Sequence, residues 1–181
     1  MKKTRRIVVL LCISIVLMGC FAIGGGSTSL AKKDLSKVVL QLTDVPKAFS
    51  NPSVLGKETI ESFYLRGDQD KIDAYAGVSY LNPEGGINLI YSVVVVFDDI
   101  ESAESVYTGV ASQVNSSLQM LKDDIGDESL LFRTPTGTSF TSIWRYQEAV
   151  GYVAVITRQQ VGFGYDEVLA ASKLMQDRLQ E

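Results

Sequence analysis

The sequence predicts an α+β fold in which a mostly antiparallel sheet carries helices packed on one face. Residues 87–97 and 150–158 have the apolar pattern of core strands, and a second candidate strand precedes each of them. A helical pattern of apolar residues follows each pair of strands. The order strand, strand, helix thus occurs twice, which indicates a possible tandem repeat within an α+β architecture.

The first elements of the domain are short. Asp34 is a candidate N-cap for a helix that continues to Leu42, and Pro46 prevents the helix from continuing. Residues 57–73 fit an amphipathic helix interrupted at Gly67, with a strand as the alternative. This part of the chain therefore has less regular structure than the segments that follow it.

A hairpin is predicted from two apolar runs, residues 74–81 and 87–97, that flank the turn sequence Asn-Pro-Glu-Gly-Gly. The second strand is apolar on both faces, as is usual for a central strand. A helix over residues 101–122 follows, with apolar side chains at three- and four-residue steps. We expect this helix to bury one side on the sheet.

The second half of the domain repeats this order. Residues 139–147 and 150–158 alternate like paired strands across a tight connection. Residues 166–179 have helical periodicity. The side chains predicted to face inward from this helix are Val168, Ala171, Met175 and Leu179.

The N-terminus combines a basic segment, residues 2–6, with an apolar run that ends in Leu-Met-Gly-Cys at residues 17–20. This arrangement resembles the lipobox signal of bacterial lipoproteins, in which a signal peptidase cleaves before a cysteine that carries lipid. The resemblance implies a signal peptide over residues 1–19 and lipidation, including palmitate, at Cys20. It also implies a lipid-anchored protein of the cell envelope, on the outer side of the cytoplasmic membrane or at the outer membrane of a diderm source.

An uncleaved signal anchor is the alternative, because residues 7–23 are almost continuously apolar and Met18 is unusual before the lipobox glycine. Both interpretations place the rest of the chain on the outer side of the cytoplasmic membrane, since the basic N-terminal end stays in the cytoplasm. The glycine-rich segment after Cys20 predicts a flexible tether over residues 20–33. Residues 34–181 are then one extracytoplasmic domain.

Composition excludes several functions. Cleavage would remove four of the seventeen Lys and Arg residues and none of the twenty-one Asp and Glu residues, so the mature chain carries a net charge of 13 − 21 = −8. Such an acidic chain is, as a whole, a poor candidate for binding nucleic acid or an anionic lipid surface. Cys20 would be the one cysteine left, so we predict no disulfide and no thiolate metal site.

The residue types of common catalytic sites are also scarce. The chain has no histidine, which removes the commonest general base and metal ligand, and it has no phosphate-binding or nucleophile-elbow motif. Carboxylates cluster within residues 68–73 and 123–128, but neither cluster has the spacing of a calcium loop. We therefore expect no enzymatic activity, no cofactor and no metal.

The placement of aromatic residues gives a weak positive signal for binding. Trp144 and Tyr146 fall on one face of a predicted strand, Tyr152 begins the next strand, and Phe163 and Tyr165 lie in a glycine-containing loop. These five residues are the candidate contacts with a ligand or partner. Ordinary core packing is the alternative, and we expect it for Trp144.

The segment Leu40–Phe49 has the form Leu-x-x-x-Asp-Val-Pro-x-x-Phe. Together with the Gly-Asp-Glu-Ser turn at residues 126–129 and the order of elements, it resembles a loose group of bacterial lipoproteins and extracytoplasmic sensor-like domains. The arrangement is also similar to the PsbP-like fold. The resemblance implies an anchored, non-catalytic role and gives no site residue.

Three function classes follow from these observations. The first is a membrane-anchored binding or interaction module whose partner is an envelope protein or a small apolar ligand. The second is a structural or complex-assembly lipoprotein of the envelope, which would expose an apolar patch without an enclosed pocket. The third is a hydrolase that uses carboxylates or a Ser-Lys pair, which would need two such groups in one cleft.

Overall fold

The fold consists of one seven-stranded antiparallel sheet with helices on both of its sides. The computed structural model describes residues 30–64, 69–83, 88–112, 119–121, 125–134, 139–157 and 164–181. The strands are β1 (Ser50–Val54), β2 (Ile72–Asn82), β3 (Asn88–Phe97), β4 (Gln119–Leu121), β5 (Glu128–Arg133), β6 (Phe140–Tyr146) and β7 (Ala149–Ile156). Their order in the sheet is β1-β2-β3-β7-β6-β5-β4. The predicted α+β class and the antiparallel sheet are confirmed.

Four α-helices of the described residues pack on this sheet: α1 (Leu35–Val38), α2 (Lys57–Tyr64), α3 (Ile100–Ser112) and α4 (Tyr165–Gln180). Single 3-10 turns occupy Leu30–Lys32, Leu42–Asp44 and Gln69–Lys71. None of the helices in the described residues combines the length and the hydropathy that crossing a membrane requires. The predicted hairpin of β2 and β3, the pair of β6 and β7, and the last helix all occur in the structure.

The helices cover both faces of the sheet, so the prediction that they pack on one face is wrong. We call the side that packs against α1 and α4 the α4 face, and the side that packs against α2 and α3 the α3 face. The cause lies in the two central strands: on β3, Ile90 and Val94 point to the α4 face while Val93 and Val95 point to the α3 face. A strand that is apolar on both sides must be covered on both sides.

The α4 face holds the larger core. Inward residues of α4 pack on β6 and β7, and all four side chains predicted to face inward are buried. Ser92 on β3 is buried there, and its hydroxyl accepts a hydrogen bond from the Leu40 N–H and donates one to the Met175 sulfur. The segment after α1 is therefore fixed on the sheet by a buried polar contact as well as by apolar packing.

The helix predicted over residues 101–122 is shorter in the structure. Helix α3 ends at Ser112, residues 113–118 lie outside the described residues, and Gln119–Leu121 forms β4 beside β5. The helix predicted from Asp34 to Leu42 is α1 followed by a separate 3-10 turn. Asp34 makes no capping bond to the helix backbone, because its carboxylate accepts the Ser36 hydroxyl instead.

The folded domain begins before Asp34, so the tether predicted over residues 20–33 is too long. Leu30 is buried, and its N–H donates to the Glu148 carboxylate in the turn between β6 and β7 at 3.0 Å. An apolar side chain with a long-range hydrogen bond belongs to the core. Residues 30–33 are therefore part of the domain.

The Asp-Val-Pro segment is explained by an ion pair with α4. Arg178 donates hydrogen bonds to both oxygens of the Asp44 carboxylate, at 2.7 and 3.1 Å. Burial raises the pKa of Asp44, but the hydrogen bonds from Arg178 and from the Gln41 N–H outweigh it, so the pKa lies below its usual value. Asp44 thus joins the N-terminal segment to the last helix as a charged group.

Candidate functional site

Trp144 is a core residue, as we expected. Its side chain is fully buried on the α4 face and lies over Gly151, where an added Cβ would overlap the indole ring. The indole N–H has no hydrogen-bond partner among the described atoms. Trp144 therefore cannot contact a partner at the surface without unfolding of this core.

The other predicted contacts do not form one aromatic strip. Tyr146 packs on the α4-face core, whereas Tyr152 lies opposite Ile143 in the ladder and packs on the α3 face. Tyr165 begins α4 and is half-buried against the same core as Tyr146. Cys20 and Phe163 lie outside the described residues.

Ser102 and Lys71 form the kind of contact that a Ser-Lys hydrolase would need, but the hydrogen bonding is that of a helix cap. Lys71 Nζ donates to Ser102 Oγ at 3.1 Å, and Ser102 Oγ donates to the Asp99 carboxylate at 2.7 Å. The Ser102 N–H also donates to Asp99, at 2.6 Å. The proton of the serine therefore goes to a carboxylate at the start of α3 and not to the amine.

The carboxylates in the described part of the second acidic cluster form ion pairs. Arg145 donates to Glu128 at 2.9 Å and to Asp127 at 3.2 Å. Asp127 also accepts the N–H of Gln147. No group of three possible metal-ligating side chains occurs among the described residues.

One end of the β2 edge lacks a partner strand among the described residues. Strand β1 pairs with β2 only from Val78 to Leu81, and one further hydrogen bond joins the Leu55 N–H to the Gly77 carbonyl. No strand of the described residues pairs with the earlier part of β2 on this side. Because alternate residues of a strand point the same way, Tyr75 directs its N–H and C=O outward, as Gly77 does.

A groove of about 410 Å³ lies along this unpaired edge. We call it the edge groove. Leu35 and Val39 on and after α1 form one wall, and Val54 and Leu55 at the end of β1 form the other. Val54 is 85% exposed and Tyr75 is 40% exposed. Exposed apolar side chains beside unpaired main-chain groups favour contact with another polypeptide.

The other part of this edge is protected from strand pairing. In β1, Pro52 has no N–H to donate and Asn51 has a positive φ of 54°. The pairing of β1 with β2 is also irregular between Ser50 and Ser53. Proline and bulges are the devices that prevent edge-to-edge association. The edge groove begins where this protection ends.

Sequence reasoning missed Val54 and Tyr75. The segment Ser50–Val54 has the composition of a turn, so neither the strand nor its early end was predicted. The one available signal was Tyr75 itself, a large aromatic whose same-face neighbours along the chain are Asp73 and Gly77. Neither neighbour offers a large apolar side chain for it to pack on.

A second cavity, beneath α3, is too small for a ligand. Its volume is about 10 Å³, and apolar side chains including Val106 and Val110 line it. A space of this size holds at most one water molecule, and an apolar lining offers that molecule no hydrogen bond.

Comparison with known proteins identifies the fold but no family. The structure is similar to the crystal structure of the extracellular domain of PknH from Mycobacterium tuberculosis, with a TM-score of 0.51 and 11% sequence identity. The match covers 80% of this chain and 94% of that chain. At this identity the likeness shows the fold alone. No family model and no curated protein matches the sequence.

Proposed function

We propose that this chain is a lipoprotein anchored through Cys20, with an extracytoplasmic domain that acts as a non-catalytic interaction module and binds its partner at the edge groove. The observation that supports binding is the unpaired part of β2 beside the exposed Val54 and Tyr75. The lipobox-like N-terminus supports the anchor. The similar fold of an extracellular domain is consistent with a position outside the cytoplasmic membrane.

The chemistry of the edge groove favours an extended polypeptide as the partner. Main-chain hydrogen bonds to a free strand edge give affinity, and pockets beside the edge select alternate side chains. The walls formed by Leu35, Val39 and Val54 would accept an apolar side chain. An envelope protein with an exposed extended segment meets both requirements, whereas a small apolar ligand would leave the main-chain groups of Tyr75 unused.

The anchor is tested by metabolic labelling with palmitate. The wild-type protein should incorporate label, and Cys20→Ala should incorporate none and accumulate as an unprocessed precursor. Cys12→Ala is the matched control, because it removes the other cysteine and should label like the wild type. An unlabelled wild-type protein that remains in the membrane would identify the uncleaved signal anchor instead.

The binding site is tested by a photo-crosslinking amino acid placed at Tyr75 in cells. We expect a discrete adduct with one envelope protein from Tyr75 and none from Glu104, which is exposed on α3 and does not line the edge groove. Val54→Asp should abolish the adduct and leave the melting temperature unchanged, because Val54 makes few contacts. Equal adducts from both positions would exclude the edge groove, and an adduct with a second copy alone would favour the assembly role.

A further inference from the structure

The lysine-rich corner of the domain lies where the chain enters the fold. Residues 30–38 contain three lysines and one carboxylate. Lys32, Lys33 and Lys37 line a groove of about 620 Å³ together with Asp34, Arg178 and Glu181. We call this surface the lysine corner. It stands out in a chain whose mature form carries an excess of acidic residues.

The lysines are the positive charges of this surface that remain available, beside the exposed carboxylates of Asp34 and Glu181. Arg178 is neutralised by its two hydrogen bonds to Asp44. Lys37 lies 3.3 Å from Asp34, but both side chains are exposed, and an exposed pair of this kind is weak. None of the ion pairs of the described residues includes Lys32 or Lys33.

The opposite side of the domain has the opposite charge. Helix α3 and the two residues before it contain four carboxylates and no basic residue. These are Asp98, Asp99, Glu101 and Glu104, and all four are exposed. The domain therefore has an acidic α3 face and a lysine corner on the side of α1. An anionic surface attracts the lysine corner and repels the acidic α3 face.

Covalent geometry keeps the start of the domain close to a lipid on Cys20. Nine residues, 21–29, separate Cys20 from Leu30, so the chain between them spans at most about 35 Å. A domain of this length is itself about 40 Å across. With the lipid on Cys20, Lys32 and Lys33 follow the attachment point directly, whereas α3 lies beyond the sheet. Because the short tether holds the domain at the membrane, the lysine corner needs less affinity for the lipid surface than a free domain would.

We propose that the lysine corner docks on anionic phospholipid headgroups and thereby orients the domain on the membrane, with the acidic α3 face outward. This inference rests on the anchor of the proposed function. Each lysine at an anionic surface favours the docked orientation by about fivefold, and the contribution extends over roughly 8 Å at physiological salt. The edge groove shares Lys33 and Asp34 with this surface, so a docked domain holds the groove beside the bilayer.

Lysine acetylation of the tethered protein tests the orientation. The mature chain, residues 20–181, has one cysteine, so a maleimide lipid attaches at Cys20 and reproduces the natural point of anchoring. On vesicles that contain phosphatidylglycerol, acetylation of Lys32, Lys33 and Lys37 should fall about fivefold relative to vesicles of phosphatidylcholine alone. Lys57 on α2 should react equally on both, and high salt should remove the difference.

Charge reversal gives a matched control. Lys33→Glu with Lys37→Glu should make the acetylation of Lys32 independent of phosphatidylglycerol. Lys47→Glu with Lys57→Glu changes the net charge equally, involves no residue that lines the corner, and should retain the protection. The proposal would be overturned by equal acetylation of the corner lysines on both kinds of vesicle. An equal loss of protection in both double variants would also overturn it. Because the lipid is attached chemically, these outcomes do not depend on whether cells lipidate Cys20.

Discussion

The two faces of the sheet differ in how they are closed. The α4 face is covered by α4 together with the N-terminal segment from Leu30 onward. Its hydrophobic core contains Trp144 and the inward residues of α4, the longest helix of the described residues. The α3 face is covered by α2 and α3, which are shorter, and a cavity of about 10 Å³ remains under α3. The N-terminal segment is thus a structural part of one face, although its sequence resembles a linker.

The two faces of the sheet also differ in the charge of the surfaces beside them. The lysine corner and the edge groove adjoin α1, and the four clustered carboxylates adjoin α3. Stability and interaction are therefore concentrated on the same side of the sheet. We expect substitutions in the α4-face core to affect both properties and substitutions under α3 to affect stability alone.

The largest effect is expected from Trp144→Ala. Removing this fully buried side chain should lower the free energy of unfolding by about 3–5 kcal/mol, measured by urea denaturation. Val106→Ala is the smaller truncation on the α3 face and should cost about 2 kcal/mol, because it removes less apolar volume. An equal cost at both positions would contradict the dependence on buried volume.

Gly126→Ala should be the next most damaging change. Gly126 has a φ of 66°, and a Cβ at this position would overlap the Arg145 carbonyl oxygen. A strained backbone of this kind costs about 1–3 kcal/mol, visible as a lower melting temperature. Gly56→Ala is the control, because nothing lies within 4 Å of its added Cβ. Equal melting temperatures for the two variants would contradict the strain argument.

Asp44→Asn should cost about 2 kcal/mol at neutral pH, because Arg178 loses a partly buried charged partner. The folded-state pKa of Asp44 lies below the ordinary value of 3.8. Its stabilisation is therefore fully present above that value and is lost as the pH falls through the folded pKa. Urea denaturation should show the difference between wild type and variant at pH 7 and little difference in strong acid. A difference that persists in acid would mean that shape, not charge, explains the effect.

The smallest effect, and the one stabilising change, is expected on the α3 face. Gly109 lies in α3 with open space around the position of an added Cβ. Gly109→Ala should therefore raise the free energy of unfolding by about 0.5–1 kcal/mol, because alanine loses less conformational freedom in a helix. A fall in the midpoint of urea denaturation would indicate an undetected contact on this face.

The elements with strong periodicity could be predicted from sequence. In α4 the spacing of Val168, Ala171, Met175 and Leu179 is helical, and the hydrophobic effect places all four inside. The pattern was less decisive in α3, whose apolar spacing continues into Gln119–Leu121. Those residues pair with β5 instead, so tertiary pairing decided between helix and strand.

The candidate site could not be predicted, because it depends on where one strand ends relative to its neighbour. Tyr75 is exposed because β1 stops pairing at Val78 and the chain departs at Leu55. Neither the end of the pairing nor the departure of the chain is a local property of the sequence. The aromatic residues chosen instead, such as Trp144, are large and apolar, and the same properties that favour a binding contact also favour burial.

The hydrogen bond from Leu30 to Glu148 also determines how mechanical load would enter the domain. A pull on the anchor acts first on Leu30 and on its hydrogen bond to Glu148 in the turn between β6 and β7, and it acts on α1 once that bond has broken. Helix α1 and the residue after it supply Leu35 and Val39 to the wall of the edge groove. The Leu30 hydrogen bond would therefore shield this wall from small forces on the anchor.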